Sequence, residues 1–155
     1  MRADAEAESV RRLLRGARLC SVGRAADMGV LALAGAGGEE VALHVQCPFR
    51  VVHGDRVILG SGDLRYVRDG VAGEGAFDAF ETRYDDRAAD LNRVLDGAGP
   101  VVGNVVLGAG GSLTLEAGRE LRIEVVPDRS GRDECWRAFV RGGPHYGYPP
   151  GVVSE

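Results

Sequence analysis

Eleven consecutive residues, Val41-Ala-Leu-His-Val-Gln-Cys-Pro-Phe-Arg-Val51, alternate between apolar and polar or small side chains. Val41, Leu43, Val45, Cys47, Phe49 and Val51 take the odd positions, and Ala42, His44, Gln46, Pro48 and Arg50 the even ones. A period of two sends successive side chains to opposite faces of extended backbone, so such a strand buries one face and leaves the other polar. His53-Gly-Asp55 supplies turn residues and Arg56-Val-Ile-Leu-Gly60 begins a return strand. The stretch from Glu40 to Val67 therefore reads as a β-hairpin, interrupted at Gly60-Ser-Gly-Asp63 and resuming as Leu64 to Val67.

Around this hairpin the chain predicts a short list of elements. Residues 3–17 read as a helix: Val10, Leu13, Leu14 and Ala17 form one apolar stripe, with acids early and arginines late to complement the helix dipole. Strands are expected at Leu19–Arg24 and Met28–Ala34. A second helix is expected within 77–96, firmest from Asp85 to Asp96, with Gly97 as its stop. Further strands are expected at Val101–Leu107, Ser112–Glu116, Glu120–Val126 and Cys135–Arg141. The Gly- and Pro-rich run from Gly142 to Gly151 argues against regular structure. The expected fold is α+β, one domain over 1–155. It comprises an N-terminal helix (1–18), a core (19–141) of about eight short, mainly antiparallel strands in two meanders with one helix between them, and a tail (142–155).

The two β-rich blocks echo each other. Leu33-Ala-Gly-Ala-Gly-Gly38 resembles Leu107-Gly-Ala-Gly-Gly111, and Cys-Pro-Phe49-Arg50 resembles Cys-Trp136-Arg137. The echo reads either as a duplication or as two meanders under the same physical rules.

A net charge of −4 and the lack of any RNA-binding, helix-turn-helix or zinc-finger pattern argue against a nucleic-acid partner. No apolar run reaches the ~18 residues of a membrane span, and the acidic N-terminus lacks a signal-peptide core. All nineteen basic residues are arginine, which reads as coding by a G/C-rich genome rather than as function. Three widely spaced cysteines, Cys20, Cys47 and Cys135, point to reduced thiols and a cytoplasmic location.

Chemistry-bearing patterns are sparse. Gly35-Ala-Gly37 continues into a strand, where a dinucleotide-binding turn would open a helix. His44, Cys47, Cys135 and His145 make a four-ligand zinc set by type, yet His44 and Cys47 leave opposite strand faces and Cys47 is in phase with buried residues. Asp85, Asp86 and Asp90 sit among Arg83, Arg87 and Arg93, as on a solvated, ion-paired helix face. No nucleophile elbow is present, so no catalytic, cofactor-binding or metal residues are assigned. What remains is a candidate binding face of His44, Gln46, Arg50, Arg137 and His145, with Trp136 directed oppositely from Arg137 into the core.

The segments Leu43-His-Val-Gln-Cys-Pro-Phe-Arg50 and Glu134-Cys-Trp-Arg137, with His145 beyond, resemble small bacterial domains commonest in actinobacteria and other Gram-positives. These pair an L-H-x-Q-C-x-[WF]-R strand with a late E-x-W-R strand, and the likeness spans residues 28–146. Some comparable α+β domains occur as immunity proteins beside polymorphic toxins. The resemblance implies a fold family and transfers no catalytic residue. The expected function is a cytoplasmic, non-catalytic binding module, immunity-type or regulatory, whose partner is another protein or a second copy. The alternative is a small-ligand or metal-binding protein, enzymatic or not, using the polar strand face and the tail.

Overall fold

The structure, a computed structural model, describes residues 2–96 and 99–151. The stop expected at Gly97 lies outside them. The first helix, α1 (Arg2–Leu14), presents Val10 and Leu14 to the core and ends at Gly16, whose φ of 84° lets the chain leave in the left-handed conformation. Five strands follow: β1 (Arg18–Ala25), β2 (Met28–Ala34), β3 (Glu40–Val45), β4 (Phe49–His53) and β5 (Arg56–Gly60). After a long loop come α2 (Arg83–Leu95), β6 (Val102–Leu107), β7 (Leu113–Ala117), β8 (Leu121–Val125), β9 (Trp136–Val140) and β10 (His145–Tyr148). No helix among the described residues is long and apolar enough to cross a membrane.

The α+β class and the antiparallel pairing follow the sequence pattern, but the arrangement differs in four respects. There are ten strands among the described residues, in two five-stranded sheets ordered β1-β2-β3-β9-β10 and β5-β4-β8-β7-β6. The eleven-residue alternation is two strands: at Gln46–Pro48 the chain crosses from the first sheet to the second. Both parts keep their apolar residues inward, with Val45 and Phe49 buried on either side of the crossing. The return strand is interrupted after Gly60 as expected but does not resume at Leu64–Val67: Ser61–Arg65 is a 3-10 helix, with the Gly60 amide donating to Asp63 Oδ2 (2.9 Å), and Val67 makes an isolated bridge with Thr82. The tail also contributes a strand, because β10 pairs with β9 along Phe139–His145 to Trp136–Tyr148. Backbone pairing there outweighs a composition poor in apolar alternation.

The topology repeats. In α1-β1-β2-β3-β4-β5 and again in α2-β6-β7-β8-β9-β10, a helix leads into a three-stranded meander, and a hairpin then crosses to the other repeat's sheet. The registers coincide. Val41, Leu43 and Val45 pair with Val140, Ala138 and Trp136, while Leu121, Ile123 and Val125 pair with His53, Val51 and Phe49. Each first strand is irregular at the same place, between Leu19 and Ser21 and between Val102 and Asn104. Backbone hydrogen bonds are reciprocal where the repeats meet: Leu19 N–H to Pro100 O (3.0 Å) with Val102 N–H to Ala17 O (2.8 Å). Gln46 N–H to Cys135 O (2.7 Å) is matched by Val126 N–H to Pro48 O (2.9 Å). Thus Phe49-Arg50 corresponds to Trp136-Arg137, as the echo suggests. The two glycine-rich turns do not correspond, since one joins β2 to β3 and the other β6 to β7.

The core lies between the sheets. Leu31, Leu43, Leu115, Ile123, Ala138 and Trp136 are all nearly inaccessible, and Trp136 donates its indole N–H to Gly111 O (2.8 Å). The helices cover the flanks, α1 against β6, β9 and β10 and α2 against β1 and β5. The outer faces of both sheets are left to solvent.

Candidate functional site

On the outer face of the first sheet, three strands converge on one polar cluster. β3 supplies His44, β9 supplies Arg137 and Phe139, and β10 supplies His145. His44 is paired with Arg137, and Phe139 with His145, so strand register alone brings the four together. The His145 ring stacks on Phe139 with centroids 4.2 Å apart and planes within 9°, and His44 meets Phe139 edge-on at 5.0 Å. Arg137 Nη1 lies 3.4 Å from His145 Nδ1. Gln46, just beyond β3, donates to Glu134, which lies just before β9.

Two nitrogens in this cluster are left without a hydrogen bond. Among the described residues, His44 Nδ1 and Arg137 Nε are the buried side-chain polar atoms that make no hydrogen bond. Glu134 Oε1 pairs with Arg137 Nε at 3.6 Å, an ion-pair contact beyond hydrogen-bond range. An unsatisfied buried donor costs free energy that folding alone does not return, so such atoms call for an explanation. Burial, and after it the charge of Arg137, lowers the His44 pKa against the pull of Glu134, which leaves the ring neutral at pH 7. Beside Phe139, a shallow depression of about 500 Å³ runs over Ala32, Ala34 and Ala42 toward the Glu40–Arg141 ion pair.

Four of the five residues expected on the face are therefore together: His44, Gln46, Arg137 and His145. Arg50 is not among them. The crossing at Gln46–Pro48 carries it to the second sheet, where Arg50 Nε bonds Glu124 Oε1 (2.5 Å) and Arg122 Nε bonds Glu124 Oε2 (2.7 Å). Burial raises the Glu124 pKa, but the two guanidinium groups outweigh it and hold the carboxyl below its ordinary value. Sequence reading missed Phe139 and Glu134. Phe139 was legible, being two residues from Arg137 and hence on the same strand face.

The zinc set is divided by the sheet. His44 and His145 lie outside, whereas Cys47 and Cys135 are buried between the sheets, and burial raises the Cys47 thiol to about 12. Among the described residues no group of three or more His, Cys, Asp or Glu is placed to hold a metal ion. Asp86 and Asp90 pair on the surface with Arg87 and Arg93, but Asp85 turns inward. It accepts from Arg24 Nε (2.8 Å) and Nη2 (2.9 Å), and it caps α2 together with Thr82. The Arg24 side chain, only 1% exposed, lies against the rings of Phe77 and Phe80 at 4.5 and 4.0 Å. Phe77 and Phe80 thus clamp Arg24, while Tyr84 is buried and donates its hydroxyl to Gly23 O (2.6 Å); α2, at Arg83–Leu95, lies within the expected 77–96. His53 ends β4 in the second sheet, 3.6 Å from Glu120, on a different part of the surface.

No protein-family model matches the chain, no curated protein matches it, and no solved structure matches its fold.

Proposed function

We propose that the chain is a non-catalytic binding module that acts through the outer face of its first sheet. One observation carries the reading: the His44–Arg137 pair keeps two buried nitrogens without a hydrogen bond on the outer face, while in the corresponding Glu124–Arg50 pair both carboxylate oxygens are held, by Arg50 and Arg122. Stability alone favours the second arrangement, so the first is better suited to receiving a group from outside. The partner is another protein, with a second copy of the chain as the variant of that reading. A cytoplasmic immunity-type or regulatory role fits the resemblance of the strand motifs. The depression beside Phe139 favours one alternative, a small-ligand protein using the same face.

Native mass spectrometry of the untagged protein, followed by affinity capture, tests this. A bare polypeptide mass, monomer or dimer, is expected. A partner held by the wild type and by Arg50→Ala is expected to be lost from the His44→Ala/Arg137→Ala double variant. A retained organic or metal mass, or a partner indifferent to the double variant, would overturn the proposal.

A further inference from the structure

Building on the reading of this face as a binding surface, we propose that the Arg137 cluster receives a carboxylate, with the apolar group beside it seated in the depression next to Phe139. The fold's second repeat supplies the template. Arg50 and Arg137 hold the same position, one residue into the strand that joins the other repeat's meander. Opposite Arg50 stands Glu124, its two carboxylate oxygens bound by Arg50 and Arg122. Opposite Arg137 stands His44. Where the second sheet has Arg122 the first has Ala42, the floor of the depression. The first sheet therefore keeps the guanidinium and lacks the carboxylate opposite it across the strands.

Glu134, from beyond the strand end, replaces it only in part, as an ion pair without a hydrogen bond. Glu134 lies 3.6 Å from Arg137 Nε, and its other oxygen is engaged by Gln46. The Arg137 side chain is 24% exposed, so a ligand can reach its outer edge. A planar carboxylate matches a guanidinium fork, and charge-assisted pairs are about twice as strong as neutral hydrogen bonds. The imidazoles of His44 and His145 border the seat. With one guanidinium and Glu134 close by, the site suits a monoanion better than a phosphate dianion. The apolar lining over Ala32, Ala42 and Phe139 suits an aliphatic neighbour of that carboxylate.

Two probes test the assignment at constant ionic strength: sodium hexanoate, and a blocked acetyl-Leu-Glu-Leu-amide tripeptide whose only carboxylate is the glutamate side chain. Each is titrated into ¹⁵N-labelled protein while the Arg137 Nε–H and the β3, β9 and β10 amides are followed. Saturable shifts confined to these strands are expected, with half-saturation on the order of millimolar. Binding should weaken at least about tenfold in Arg137→Gln and persist in Arg50→Gln. His44→Glu, which supplies the other repeat's carboxylate in place, should raise the melting temperature and abolish the response. A response to hexanoate identifies a small acid as sufficient; a response to the tripeptide alone identifies a partner's acidic side chain. No saturable response to either, or an equal one to chloride, overturns the carboxylate assignment. If partner capture still depends on His44 and Arg137, the binding face stands without it; if that dependence fails too, both fall.

Discussion

At the scale of single residues, Arg24 is the least expendable charge in the chain. It lies in β1, yet its guanidinium bonds Asp85 at the start of α2 and the carbonyl oxygens of Ala26 and Phe77, the last at 2.5 Å. Removing one member of a buried pair leaves the other charged and unpaired, so Arg24→Ala should cost about 3–5 kcal/mol. Urea unfolding followed by Trp136 fluorescence measures it, and a loss below about 0.5 kcal/mol would show the clamp to be ornamental. Burial pushes the Asp85 carboxyl up, but hydrogen bonds from Arg24 and Thr82 outweigh it and hold the group below its ordinary value. A depressed native pKa means that the unfolded state takes up its proton first as pH falls. The stabilisation by Asp85 is therefore complete above the unfolded carboxylate range and lost as pH drops through the native value. The stability gap between wild type and Asp85→Asn should be constant from about pH 7 to 5 and shrink below about pH 4.

Among the elements, the junction between α2 and β6 is the tightest seam. A Cβ placed on Gly99 would stand 1.8 Å from Leu19 O, inside the backbone pairing that joins the repeats, whereas one on Gly103 would meet nothing within 4 Å. Gly99→Ala should therefore destabilise by roughly 1–3 kcal/mol or more, and Gly103→Ala by less than about 0.5 kcal/mol. Thermal melts of the two variants decide it, and equal midpoints would refute the close approach. Much of this level was legible in advance. β2 lies at its expected bounds, and period-two alternation places Leu43 and Ile123 inward. What alternation does not encode is which sheet a strand joins. Val45 and Phe49 are both buried, so the crossing between them preserves the inside–outside pattern, and Arg50 was assigned to the wrong face. β10 was illegible for another reason: His145-Tyr-Gly-Tyr148 has little strand character of its own and is a strand because β9 offers it an edge. The site shared both fates, with His44 and Arg137 visible as residues and their pairing hidden until β3 met β9.

For the whole molecule, the exchange of hairpins makes each repeat incomplete. β3 finds β9 and β8 finds β4 only across the repeat boundary. A chain divided after Asp96 should give two pieces that lack native circular dichroism when separate. Mixed in equal amounts, they should recover the buried Trp136 emission; a piece that folds alone would disprove the interdependence. Such pairings are distant in sequence, so folding in the millisecond-to-second range is expected rather than microseconds. The crossed hairpins also set a schedule for synthesis. Gln46 meets Glu134 across a separation of 88 residues. At roughly 5–20 residues per second, a ribosome needs on the order of 4–18 s to travel that distance. Through that interval the nascent β3 has a free edge and an uncovered apolar side, which makes the half-made chain a natural client for holdase chaperones.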